Sequence, residues 1–209
     1  MQRVPKKAQL YITADQSYQV YINGSYICRG PARGFQKARP FDAVDVSQWL
    51  KPGENLIAVR AHNPGFSNFQ YVHQGYAGLL VAAKWGDTSL LSDATWTCRR
   101  QTGVERSMVQ TSLQLFHQEN VDLRQEDPNW MRPEHDDTDW DGRPVALALG
   151  CLPWTSLQAR GIPLLDERIL PLGQIIGKAS GHNDEEYLQT RNLSINHFKE
   201  GLTHMATQA

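Results

Sequence analysis

Three groups of residues in this chain have the types and spacing to do chemistry. The first is a set of carboxylates: Glu105, Glu119, Asp122, Glu126 and Glu134, then the run Asp136, Asp137, Asp139 and Asp141. Hydrolysis of a glycosidic bond needs two carboxylates across one cleft, about 5–5.5 Å apart for retention or about 6.5–9.5 Å for inversion. No motif marks any two of these acids as such a pair, so no catalytic residue is expected in this chain. Asp137-x-Asp139-x-Asp141-Gly142 opens like an EF-hand calcium loop, but the place of the bidentate Glu is taken by Ala148, inside an apolar run. The acids are therefore expected to cap their own backbone in a turn. No cofactor is called for, and calcium has no motif behind it. Asp122 and Arg124 are expected to form an ion pair.

The second group is basic: Arg29, Arg33, Lys37 and Arg39, on or beside the loop Gly30–Asp42. A guanidinium binds a carboxylate in bidentate fashion, so this loop suits a uronate; the competing reading is a surface loop that pairs with local acids. The third group is the loop Asn63–Gly78, NPGFSNFQYVHQGYAG. Asn63, Asn68 and Gln70 offer donors and acceptors that match sugar hydroxyls, and Phe66, Phe69, Tyr71 and Tyr76 offer stacking faces. The candidate carbohydrate-binding residues are thus Asn63, Asn68, Gln70 and Tyr71, with Arg29 and Arg33. The same loop would serve equally to pack against another domain, and both readings stand. His62 and His73 lack a partner ligand at i+2 or i+4 and are expected to be ordinary hydrogen-bonding groups.

The elements that must position these loops read as strands. Leu10, Ile12 and Ala14 alternate with polar residues, as do Val20 and Ile22, and Asn23-Gly24 supplies the two positive-φ positions of a tight hairpin. Strands are expected over Gln9–Asp15, Tyr18–Asn23, Tyr26–Arg29, Asn55–Asn63, Gly78–Trp85, Trp96–Arg100, Leu113–Asp122, Val145–Leu149, Ile162–Leu165 and Gln174–Gly177. A short turn at Val46–Leu50 packs Trp49 and Leu50. Short strands at this spacing, punctuated by Gly, Pro, Asn and Asp, point to an all-β sandwich or jelly roll rather than a βα alternation. A helix is expected at Asn192–Thr207, giving a sandwich over 1–180 and a linker or tail over 181–209.

With 209 residues the chain can bury a sizeable core. Its 21 basic and 22 acidic residues leave a net charge of −1 with no basic stripe, so neither nucleic acid nor a membrane is expected as a partner. The opening MQRVPKKAQ lacks the apolar core of a signal peptide, and the compartment stays open. Cys28, Cys98 and Cys151 are too far apart and too few for a disulfide framework and are expected to be buried thiols. Of the six tryptophans, at least four are expected in the core.

Several phrases carry a family resemblance. TADQSYQVYING, GPARG and DVSQWLKPGENLIAV resemble the amino-terminal β-sandwich of bacterial α-L-rhamnosidases of glycoside hydrolase family 78. So do Glu119, Asp122 and Arg124 followed by Trp130 and Asp136-Asp137…Trp140, and the exit phrase LPWTSLQARGIPLLDE at Leu152–Glu167. The resemblance spans Ala8 to Gly177 and implies a galactose-binding-like jelly roll. It further implies a non-catalytic accessory domain that binds a rhamnose-containing glycan, supports the catalytic barrel of the parent enzyme, or does both. The parent would hydrolyse α-L-rhamnosides by inversion with acids on that barrel. The alternative is a purely structural sandwich, as in family 2 glycosidases, with no sugar affinity. Family members typically place another strand before the first one here, and nothing after Gly181 resembles the start of a barrel; a missing edge strand would leave main-chain pairing groups exposed.

Overall fold

The computed structural model describes residues 4–86, 88–106, 108, 118–140, 142–148, 150–168, 170, 171, 173 and 174. Met1–Glu167 forms one compact unit and Arg168–Ala209 a second. The described residues of the second unit carry no regular secondary structure. The helix expected at Asn192–Thr207 lies outside the described residues.

The first unit is an all-β sandwich. Its strands are β1 (Gln9–Asp15), β2 (Ser17–Ile22), β3 (Ser25–Gly30), β4 (Arg39–Asp45), β5 (Ile57–His62), β6 (Gly78–Trp85), β7 (Thr88–Leu91) and β8 (Leu157–Ala159). One sheet runs β7-β6-β1-β4-β8 and the other β3-β2-β5. All neighbours are antiparallel except β4 and β8. Side chains alternate across a strand, so the pairing register decides which rows face inward. Leu10 stands opposite both Val44 and Ala83, and Val20 opposite both Cys28 and Val59. These rows meet between the sheets, where Leu10, Ile12, Val20, Ile22 and Val46 are fully buried. Burial of each such aliphatic side chain contributes about 1.5–3 kcal/mol.

The turns follow the local chemistry. Asn23 (φ 51°) and Gly24 (φ 84°) both lie in the left-handed region that links β2 to β3. The Asn23 amide also reaches across the sheet, donating to Trp49 O and accepting from Leu56 N. A 3-10 turn at Ser47–Trp49 brings Trp49 and Leu50 onto the core.

Beyond β7 the chain is held by isolated bridges, Cys98 with Gly142 and Val104 with Val121, and by a 3-10 turn at Leu123–Gln125. Several expectations fail here. Trp96–Arg100 contributes one bridge rather than a strand, and Ile162–Leu165 and the described part of Val145–Leu149 carry none. Val145, Ile162 and Leu165 are exposed, and apolar alternation with neither a partner strand nor a core to cover it does not make a strand. Leu113–Asp122 and Gln174–Gly177 fall partly outside the described residues. In the opposite direction, Arg39–Asp42, read as part of a basic loop, is the first half of β4. Cys28 is buried as expected, but Cys98 is exposed and Cys151 half-buried. Trp154 is buried, and Trp49, Trp85 and Trp96 pack on the core.

Candidate functional site

Asp15 closes β1 on the face that carries Tyr11 and Thr13, opposite to the inward Leu10 and Ile12. That outer face should meet water, yet the Asp15 side chain is 0% exposed. The loop Asn63–Gly78 folds over it. Tyr71 donates to Asp15 Oδ1 at 2.7 Å, and Arg39 of β4 pairs with Asp15 Oδ2 at 3.3 Å. Asn63 Nδ2 donates to the Asp15 carbonyl (2.9 Å) and to Tyr71 Oη (3.2 Å). Gln74 accepts from Arg39 at 3.1 Å, and His73 Nδ1 lies 3.3 Å from Tyr71 Oη. Burial, then the neighbouring Asp15 carboxylate, pushes the Tyr71 phenol up to about 12. This knot of Asp15, Arg39 and Tyr71 holds the loop on the sheet. The Asp15 carboxylate is sealed from solvent and ion-paired, which suits an anchor and not a general acid.

The structure places the six sequence-derived candidates in three locations. Asn63 and Tyr71 meet in the knot. Gln70 sits further out, where Arg33 donates to its Oε1 at 2.5 Å and stitches the loop to the segment before β4. Asn68 Oδ1 accepts from Gln70 N at 2.7 Å and shapes the turn. Arg29 lies apart, its Nε 2.6 Å from Glu167 Oε1. Tyr26 donates to the same carboxylate at 2.5 Å. Close in the chain to Arg33 and Gln70 are exposed apolar side chains: Phe35 is 86% and Phe69 74% exposed, and Val72 and Tyr76 are exposed as well. Asp15 and Arg39, the partners of this loop on β1 and β4, were not among the sequence-derived candidates for it. An Asp ending an alternating strand, with an Arg opening a later one, was the available signal.

The model of the α-L-rhamnosidase N-terminal domain family matches residues 3–153. The chain belongs to that family. An α-L-rhamnosidase of Streptomyces avermitilis is 26% identical over 149 residues, which are 70% of this chain and 12% of that protein. A crystal structure of a family GH78 rhamnosidase of Bacillus sp. GL1 superposes with a TM-score of 0.71 at 34% identity, covering 78% of this chain and 17% of that one. The α-L-rhamnosidase of Dictyoglumus thermophilum shares the fold, with a TM-score of 0.60 at 24% identity over 78% of this chain and 18% of that one. The chain thus spans less than a fifth of the length of these relatives.

This rhamnosidase N-terminal domain has a second knot, between the sheets. Asp42 points inward from β4, accepts from the Tyr18 hydroxyl and is ion-paired with Arg160. Cys28 Sγ lies 4.0 Å from the same hydroxyl. Burial, then the hydrogen bond to Asp42, drives the Tyr18 phenol far above its ordinary range, and burial pushes the Cys28 thiol up to about 11. Arg160 N donates to Phe41 O at 2.9 Å, so the exit segment after β8 is tied to β4 by main chain and side chain together.

The acidic turn behaves as a turn. Asp136 accepts from Thr138 N, Asp137 from the Thr97 hydroxyl, and Asp139 pairs with Arg99. Among the described residues, no group of three or more His, Cys, Asp or Glu could hold a metal ion. Asp122 caps the 3-10 turn and pairs with Arg124 at 2.8 Å, and the hydrogen bonds from Arg124 and Gln125 hold its carboxyl down at about 2.

Proposed function

We propose that this chain is the non-catalytic amino-terminal sandwich of an α-L-rhamnosidase and that its work is structural. It supports the remainder of the enzyme, which would carry the hydrolytic acids on its barrel. The observation that carries the proposal is the division of labour in the two rim segments. Their polar groups are turned to internal use: Asn63 and Tyr71 on Asp15, Gln70 on Arg33, Gln74 on Arg39. Phe35, Phe69, Val72 and Tyr76 face outward. A sugar site needs directed hydrogen-bonding groups beside its stacking ring, whereas a docking rim needs apolar area held rigidly.

Thermal unfolding tests this. The chain is melted alone and with millimolar L-rhamnose, D-galactose or D-galacturonate, each with and without calcium. The expected result is one melting temperature throughout and no nitrophenol released from nitrophenyl α-L-rhamnoside. A sugar-specific rise in the melting temperature would establish native-state binding and replace the structural reading with a carbohydrate-binding one.

A further inference from the structure

Among the described residues, the sandwich is open along one side. β5 is the last strand of its sheet, and no strand lies beyond it among the described residues. The carbonyls of Leu56 and His62 accept from Asn23 N and Gln16 N at the two ends of β2. Even-numbered positions of β5 therefore turn toward β2. By the alternation of an antiparallel ladder, Ile57, Val59 and Ala61 turn their N–H and C=O groups the other way. That edge opens on a groove of about 1080 Å³. Leu79, Trp96, Trp130, Trp140 and Trp154 are among the residues that line it. Ala61 stands directly opposite the buried Tyr18 in the ladder, and is nonetheless exposed. The space between the sheets stops short there.

We infer that this groove receives an extended polypeptide segment that pairs with the outer edge of β5. Two features select that occupant. Outward N–H and C=O groups at every second residue are complementary to another main chain, the β-augmentation mode of recognition. The apolar walls suit alternate apolar side chains of a single strand. The source is the remainder of the homologous enzyme, because in the relatives the matched region is only 12–18% of the polypeptide. This rests on the reading of the chain as a supporting domain and names the element that would do the holding.

Amide hydrogen exchange on the ¹⁵N-labelled 209-residue chain tests it. In the chain alone, Ile57, Val59 and Ala61 should exchange fast while Ala58 and Arg60, bonded to β2, exchange slowly. Overlapping ten-residue peptides are then added, covering the part of the Bacillus sp. GL1 rhamnosidase outside the matched region. At least one should slow the three outward amides tenfold or more. Ala61→Pro, which removes an outward N–H from an exposed edge position, should abolish that protection while Ala58 stays slow. Protection of the three amides in the chain alone would mean that its own residues or a second copy already occupy the edge, and would overturn the inference. So would a full peptide set that protects none of them, or protection by L-rhamnose in place of peptide. A sugar-induced rise in melting temperature that leaves these amides fast would defeat the supporting role by itself, so the two failures are separable.

Discussion

The two buried aspartates sit on neighbouring strands, and each takes an arginine and a tyrosine, yet they do different work. Asp42 lies between the sheets, and its partners Tyr18 and Arg160 come from the opposite sheet and from the exit segment. Asp15 lies on the outer face of β1, and its partners come from β4 and from a loop. The same three side-chain types make a cross-brace through the core in one place and a peg for a loop in the other. Position in the fold, not composition of the knot, decides what is lost when it breaks.

The largest effect should come from Asp42→Ala. It leaves Arg160 charged and unpaired beside a buried phenol, at a cost of about 3–5 kcal/mol in urea unfolding. Asp15→Ala should cost less, about 1.5–3 kcal/mol, because Arg39 keeps Gln74 as a hydrogen-bond partner and the main loss is the hydrogen bonding that holds the loop. It should also open a protease site within residues 63–78 that Asp42→Ala does not. If the cleavage pattern is reversed, the distinction between brace and peg is wrong.

Alkaline titration sharpens the same comparison. Tyr71 has its folded-state pKa raised from 10 to about 12. The stability it contributes is therefore fully present below about pH 10 and is lost as pH rises toward about 12. The difference in melting temperature between wild type and Tyr71→Phe should shrink across that window. Tyr18 is raised much further, so the Tyr18→Phe difference should shrink over the same range and go on shrinking beyond it, where the Tyr71→Phe difference levels off. A flat Tyr71→Phe difference would remove the phenol from the peg.

The smallest effect belongs to the exposed pair. Arg124→Ala should leave the melting temperature unchanged, since Asp122 still caps the turn through the backbone N–H at 124 and a surface ion pair adds little. A clear drop would mean that the segment after β7 relies on surface charge in a way the two knots do not.

Much of this architecture was legible before any coordinates. β1 and β6 fall on their expected residues, β1 through the alternation of Leu10, Ile12 and Ala14 with its neighbours and β6 through a short apolar run, Leu79–Ala83, bounded by Gly78 and Lys84. β4 was hidden by its own function. Arg39 and Asp42 look like loop residues until the partners that neutralise them, Asp15 and Arg160, are brought from 24 and 118 positions away. The converse error, at Ile162–Leu165, has the same origin: a local pattern says which face is apolar but not whether another strand stands beside it. At the candidate site Asn63 and Tyr71 could be named, since amides and aromatics cluster in one loop, and Asp15 could not, since its burial depends on a loop that returns some fifty residues later.

The Asp42–Arg160 contact also bears on how the chain is made. Arg160 follows Asp42 by 118 residues, so at about 5–20 residues per second the carboxylate waits roughly 6–24 s for its cation as the chain is synthesised. Until then the first seven strands can pair, but closing the sheets would bury an uncompensated charge. Arg160 also lies past residue 153, where the family match ends. A polypeptide cut at that boundary would keep nearly every strand and lose the counter-charge, so the folding unit extends further along the chain than the recognisable domain.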